Sequence, residues 1–288
     1  MNNQMELWLE SSSDSLNLNS TANGIYLTPE LDGLTGLPEI RSSTGVNAGY
    51  DGGWTSAQNY DARLIAIRGV IANPDVSQLE SMRRRLATLV GQGKKETLTL
   101  KFVTDAGNVF TVFVHTMSCE MPLNRVLNQQ PFLIQLRADD PLIYDDGATG
   151  GTEAILRVQQ ALGGFPINFE LPLEIGGGPD ITYVTNGGTE PVYPIIHLYG
   201  PLHSPTVVNR TTNQQFQVIA DLTGSDEVII DSQLRTVTLN GTDIYHLKSP
   251  SSDFIMIDPG QNGMLLTSET LSDAGTAKVM FKQGYISI

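Results

Sequence analysis

The stretch NGGTEPVYPIIHLYG, residues 186 to 200, opens the part of the chain whose pattern decides the fold. Asn186-Gly187-Gly188 is a turn signal, and Pro191 to Gly200 reads as a strand. A turn at Pro201 to Pro205 leads to Thr206-Val207-Val208-Asn209, and then Phe216, Val218, Ala220 and Leu222 alternate with Gln215, Gln217, Ile219 and Asp221. Alternation with period two buries one face of a strand and wets the other. Gly224-Ser225-Asp226 and Gln233 punctuate two more strands, Glu227 to Asp231 and Thr236 to Leu239, before Asn240-Gly241, a pair suited to a type I′ hairpin turn. Short strands separated by regular turn signals predict a β-sandwich. Further strands are expected at Asp253 to Ile257, Asn262 to Thr267 and Ala277 to Lys282, so this half is all β.

The other half reads differently. Residues 1 to 23 are rich in Ser and Asn and predict a flexible polar arm with one apolar anchor, Leu7-Trp8-Leu9. Gly33 to Asn59 is glycine-rich and reads as a long loop carrying Tyr50 and Trp54. Arg63 to Ile71 is a strand, and a helix from Pro74 to Val90 follows. Asn73 is its expected cap, and Val76, Leu79, Met82, Leu86, Leu89 and Val90 form its apolar stripe. Thr97 to Thr104 and Val109 to Met117 make a hairpin, and Phe132 to Ala138 adds a strand. The run from Asp145 to Thr152 breaks all periodicity and predicts a boundary near residue 148.

The totals narrow the function classes. The 288 residues carry a formal net charge of -14, which disfavours a nucleic-acid or anionic-membrane partner because both are polyanions. With Cys119 alone no intrachain disulfide can form, and no secretory signal or membrane-length apolar run is found, so folding in a cytoplasm is expected. Four scattered histidines without a second cysteine make a poor metal site, and no metal or other cofactor is expected. There is no Gly-x-Ser-x-Gly elbow, Asp139-Asp140 before Pro141 reads as a turn, and Gly176-Gly177-Gly178-Pro179 lacks the Lys-Ser/Thr of a phosphate loop. Cys119 has no basic neighbour to activate it. The chain is therefore expected not to be an enzyme.

Two features are candidates for contact rather than chemistry. Residues 63 to 101 concentrate eight basic side chains, Arg83-Arg84-Arg85 among them, against three acidic ones. In an acidic chain this is either a solvated helix face or a docking surface for an acidic neighbour, such as another copy. Trp54 is a candidate packing anchor or interface residue, with stacking on a sugar ring as the alternative.

Taken in order, Tyr60 to Gly69 leading into the helix, Asp140-Pro141-Leu142-Ile143-Tyr144 closing the first domain, Asn186-Gly187-Gly188 through Pro194 to Gly200, Thr206 to Asn209, Asp231, Arg235 to Val237 and Asn240-Gly241 resemble the distal tail proteins of long-tailed, non-contractile bacteriophages. The resemblance implies a mainly β fold in which residues 24–147 are a ring-forming belt domain, a β-sandwich with one helix, and residues 148–288 a galectin-like β-sandwich. It implies a structural hub of the tail tip and a homo-hexameric ring, for which the basic run makes Arg83, Arg84 and Arg85 the candidates for the contact between subunits. Its partners would be the tail tube protein, the tail-tip protein and a receptor-binding protein. DNA would pass through the bore without specific binding, no membrane would be involved, and the protein would sit at the distal end of the virion's tail. A lectin-like module for host adsorption is the alternative, although strong lectin activity is not expected because no clustered sugar site is visible.

Overall fold

The computed structural model describes residues 6–122, 128–146, 151–158, 181–270 and 273–288. The chain folds into two compact units, Met1–Ala148 joined by Tyr285–Ile288, and Thr149–Gly284. The fold is mainly β, with one α-helix among the described residues, as the sequence predicts.

In the first unit, β1 (Glu6–Glu10), β2 (Ser15–Asn17) and β3 (Ile25–Asp32) precede four short strands, β4 (Ile40–Arg41), β5 (Thr44–Val46), β6 (Gly53–Thr55) and β7 (Asn59–Tyr60). Then come β8 (Arg63–Ala72), the helix α1 (Val76–Gln92), β9 (Leu98–Val103), β10 (Val109–Glu120), β11 (Gln129–Ala138) and β12 (Ile143–Asp145). The main sheet runs β2-β1-β9-β10-β11-β8-β3. Its hinge is β10, whose first half, Val109 to Val114, pairs with β9 and whose second half, from His115, pairs with β11 across a register shift between Thr116 and Ser118. A bulge of this kind bends a strand, so one long strand can serve two pairings that face different ways. Alternate residues of β8, β9 and β11 are buried, among them Ile65, Ile67, Leu98, Leu100, Ile134 and Leu136.

From Glu6 onward the polar start is not the flexible arm its composition suggests, and residues 1–5 lie outside the described residues. Leu7 and Leu9 are fully buried on β1, which pairs along β9, and Leu16 and Leu18 join the same core. The physical reason is the period-two spacing of these leucines, which gives two short strands one apolar face each, while Ser11 Oγ accepts from the Ser13 and Asp14 amides to hold the turn between them. Local polarity describes the turn and not the strands.

Helix α1 starts later than its capping signal implied. The side chain of Asp75, not Asn73, accepts from the Ser77 amide, and Asn73 Oδ1 instead accepts from the Asp75 amide one step earlier. Val76 consequently lies in the first turn and is 56% exposed, Leu79 is half-buried, and Leu86, Leu89 and Val90 carry the burial. At the other end Thr116 Oγ1 donates to the Val90 carbonyl at 2.7 Å, tying the helix to the bend of β10.

Arg63 is the largest fully buried side chain and has no carboxylate partner among the described residues. Its guanidinium donates instead to backbone carbonyls: Nε to Pro141 at 2.9 Å, Nη1 to Gly33 at 2.9 Å and Gly36 at 2.7 Å, and Nη2 to Ile286 at 2.5 Å. Burial pushes its pKa down from the ordinary value. Ile286 belongs to the last four residues, which depart from the expected domain boundary: Tyr285 packs edge-on against Phe110 at 5.9 Å, Ile286 is buried, and Ile288 donates to Thr35. Apolar contact and the Arg63 bond draw the end of the chain into the first unit.

The second unit contains β13 (Thr152–Arg157), β14 (Thr182–Asn186), β15 (Ile195–Tyr199), β16 (Leu202–His203), β17 (Thr206–Asn209), β18 (Gln214–Gln217), β19 (Asp221–Leu222), β20 (Glu227–Asp231), β21 (Thr236–Leu239), β22 (Thr242–Asp243), β23 (Gly260–Thr267) and β24 (Thr276–Phe281), whereas the last strand, β25 (Gly284–Tyr285), pairs with β12. One sheet runs β13-β24-β15-β20-β21-β22 and another β14-β23-β17-β18, and β16 pairs with β19. Each of the two larger sheets buries one face, Ile196, Leu198, Val228 and Ile230 on one and Val207, Phe216, Met264 and Leu266 on the other. Two expected strands are shorter. Pro194 cannot donate to a ladder, so β15 begins at Ile195, and Asp253 to Ile257 makes only the single bridge between Val192 and Ile257.

The Asn186-Gly187-Gly188 turn has a mechanical reason. Asn186 is buried, donates to the Glu190 and Ile257 carbonyls, and accepts from the Gly188 amide at 2.9 Å. A Cβ on Gly188 would lie 2.3 Å from the Gly284 carbonyl oxygen, so only glycine fits. Asn240 and Gly241 both have positive φ, 48° and 82°, as the hairpin reading required. The Gly176-Gly177-Gly178-Pro179 turn lies outside the described residues.

Replacing Arg63 by Lys should destabilise the first unit, because one ammonium cannot serve four dispersed carbonyls and each buried acceptor left without a donor costs about 1 to 3 kcal/mol. Arg68→Lys is the control, since its pair with Asp32 is exposed at both ends and is worth about 1 kcal/mol or less. Thermal melts of the two variants should differ by several degrees, and equal midpoints would remove Arg63 from its central place.

Candidate functional site

The expected glycine-rich loop is a two-stranded ribbon. Ile40 and Arg41 pair with Tyr60 and Asn59, Thr44 to Val46 pair with Thr55 to Gly53, and the Asn47 amide closes the tip onto the Gly52 carbonyl. Trp54 explains part of the glycine content, because its indole lies over Gly45, where a Cβ would come within 2.5 Å of the ring. Apart from half-buried Gly45 and Asn47, every residue of the ribbon from Ile40 to Tyr60 is exposed. Val46 is 86% exposed, Tyr50 71% and Trp54 54%. An isolated two-stranded ribbon is only marginally stable in water, and apolar groups displayed together on a surface are a mark of contact sites. The ribbon is anchored at its base, where the Gly33 and Gly36 carbonyls accept from Arg63.

The three helix arginines separate. Arg85 forms a bidentate pair with Asp14, Nη2 at 2.7 Å and Nε at 3.1 Å, and donates to the Ser15 carbonyl. That bond lowers the Asp14 carboxyl below its usual range and raises Arg85. Arg84 makes a looser contact with Glu80 at 3.5 Å, one helical turn away. Arg83 and Arg84 together rim an open groove of about 630 Å³ whose floor includes Val90, Cys119 and Met121. Burial pushes the Cys119 thiol up, in keeping with an unreactive side chain. The structure thus brings Arg83 and Arg84 to one groove, pairs Arg85 with Asp14 at the turn between the N-terminal strands, and carries Trp54 on the ribbon.

A serine, a histidine and an aspartate do meet in the second unit, in an order that does not suit hydrolysis. His203 Nδ1 lies 3.0 Å from both Asp273 carboxylate oxygens, but Ser268 Oγ also bonds Asp273 and accepts from the His203 amide. A nucleophile would have to sit on the imidazole's other nitrogen. Among the described residues no His, Cys, Asp and Glu cluster could hold a metal ion. Asp139 pairs with Arg137, and Asp140 accepts from the Leu142 amide and the Tyr144 hydroxyl, so the adjacent acids shape a turn.

Residues 187–285 match the family model of the siphovirus-type tail component, C-terminal domain. Among solved structures, the crystal structure of the Dit protein of phage SPP1, described as a paradigm of the hub adsorption apparatus in phages infecting Gram-positive bacteria, superposes with a TM-score of 0.64 at 16% identity, over 97% of this chain and 99% of that one. A chain of the phage P2 baseplate in its activated conformation with Ca has a TM-score of 0.52 at 9% identity, over 96% of this chain and 98% of that one. These two likenesses carry the fold alone. Comparison with curated proteins returns no match.

The His203–Asp273 contact makes the second unit sensitive to pH. Hydrogen bonding to Asp273 raises His203. Burial pushes Asp273 up, but hydrogen bonds from Ser268 and His203 outweigh it and hold the carboxyl low. A raised histidine stabilises fully below its unfolded pKa and loses that effect as pH rises through its folded value, whereas a depressed carboxylate loses its effect as pH falls through its own. The stabilisation is therefore greatest between about pH 4 and 6.5. Melting curves of Asp273→Asn should fall furthest below wild type in that window, and a difference that grows above neutrality would contradict the assignment.

Proposed function

We propose, from the premise that this chain belongs through residues 187–285 to the siphovirus-type distal tail family, that it is the structural hub of a bacteriophage tail tip. In this reading residues 24–147 form the belt of a homo-hexameric ring and the galectin-like second unit is the outward module. The ring joins the tail tube protein to the tail-tip protein and to receptor-binding components, at the distal end of the virion's tail, after folding in the host cytoplasm. Its role is structural and non-catalytic. The family match and the shared fold of the hub and baseplate structures support this reading.

The observation that carries the ring is the ribbon. Val46, Tyr50 and Trp54 are displayed on a strand pair that, among the described residues, packs on nothing beyond its base, and a neighbouring subunit would supply the missing surface. Rings arise when one patch meets a different patch through a rotation that closes. A second, different patch is available in the groove rimmed by Arg83 and Arg84. The net charge of -14 suits a bore that lets DNA pass, because an acidic lining repels the phosphate backbone.

Size exclusion with light scattering should return a multimer whose share falls as salt rises. The double variant Val46→Ser/Trp54→Ser should be monomeric with an unchanged melting temperature, since neither side chain belongs to the core. Arg83→Ala/Arg84→Ala should weaken assembly, whereas Arg85→Ala should cost about 1 kcal/mol or less of folding stability through its exposed pair with Asp14. A wild-type protein that stays monomeric at tens of micromolar in low salt would remove the self-assembling ring.

A further inference from the structure

The second unit holds an open cleft of about 420 Å³, within the range of small-molecule sites. Tyr193, Tyr245 and Phe254 supply aromatic surface, and Gln214, Arg235 and Lys248 supply polar groups around it. The aromatic floor is braced from beneath. Phe254 lies 5.0 Å from the buried ring of Phe216 and stacks at 6.4 Å and 26° with Tyr245, while Tyr245 is 48% and Tyr193 40% exposed. Rings held in place by the core and left open on the cleft side are platforms for a ligand with an apolar face.

The polar groups are fixed in the same way. Gln214 Oε1 accepts from the Met256 amide at 2.8 Å and from the Thr212 hydroxyl, which leaves its NH₂ as the end without a hydrogen bond among the described residues. Lys248 donates to the Ser249 and Ser252 carbonyls, which positions its ammonium and leaves it a further N–H. Asp253 adds an acceptor at the rim.

Arg235 is the exception to local preference. It has φ 56°, and the other non-glycine residues with positive φ are three asparagines and one serine, types that tolerate the left-handed region better. The turn before it is already made by Asp231, whose Oδ1 accepts from the Gln233 and Leu234 amides, so the turn itself would be served better by glycine or asparagine. Its exposed guanidinium makes no ion pair or hydrogen bond among the described residues. A long cation thus occupies a strained position without a hydrogen bond or ion pair among the described residues to offset the strain, and it lines an aromatic cleft. Strain retained at such a place points to a ligand.

We propose that this cleft binds a saccharide bearing an anionic substituent. The C–H face of the sugar ring rests on Tyr245 and Tyr193, the anion is held by Arg235 with Lys248, and hydroxyls meet Gln214 and Asp253. Aromatic faces take the apolar side of a sugar, and the guanidinium fork gives the preference for a carboxylate or phosphate. The site lies wholly within the second unit and does not depend on the ring.

Titration calorimetry of the full chain with trigalacturonate, glucose 6-phosphate, neutral glucose and inorganic phosphate tests it. One of the two anionic sugars should bind at millimolar strength or better, and the arm that does so identifies the anion. Tyr245→Ala and Arg235→Gly should each weaken it by roughly tenfold or more. Because glycine relieves the strained φ, Arg235→Gly should melt no lower than wild type, so its loss of binding cannot be unfolding. The proposal is overturned if neither anionic sugar binds, if neutral glucose or inorganic phosphate binds as well as they do, or if Arg235→Gly binds like wild type.

Discussion

Much of the first unit hangs on a buried guanidinium. Arg63 gathers carbonyls from the Gly33 to Gly36 turn, from Pro141 and from Ile286, three segments far apart in sequence. A buried cation without a carboxylate is costly unless its donors are satisfied, and here they are satisfied by backbone oxygens that would otherwise need partners of their own. The arrangement fixes the base of the ribbon, the entry to β12 and the end of the chain in a single step. It therefore links folding to function, because the surface proposed for assembly begins where Arg63 holds the chain.

The ribbon and the N-terminal strands show two outcomes for similar polar composition. In β1 and β2 the leucines recur at every second position, so the backbone can pair with β9 while the side chains enter the core. In the ribbon Val46, Tyr50 and Trp54 have no such neighbour among the described residues and stay in solvent. Burial settles the first segment inside the unit. Exposed apolar area leaves the second open to contact with another molecule.

Much of the fold was legible because the patterns were local. The strands from Arg63, Thr97 and Val109, the helix stripe ending in Leu86, Leu89 and Val90, and the Asn240-Gly241 hairpin all follow from spacing within a few residues. What escaped was set by distant partners. The return of Ile286 to the first unit needs Arg63, more than two hundred residues earlier, and nothing in the local sequence announces it. The division of Arg83, Arg84 and Arg85 depends on Asp14, so a run that looks uniform splits into an intrachain pair and a groove. The cleft of the second unit draws on residues from Tyr193 to Met256 that no motif groups together. Trp54, the aromatic residue that drew attention from sequence, lies on the ribbon instead. Arg235 carried a readable signal, since a bulky residue in a turn position suited to glycine or asparagine is out of place.

The most direct measurement is a reconstruction by electron microscopy of purified virions into which the chain has been fitted. The account predicts a closed ring of this chain at the distal end of the tail tube, with residues 40–60 of each subunit lying on the next. A virion that lacks the chain, or a ring whose ribbons point into solvent without touching a neighbour, would contradict it.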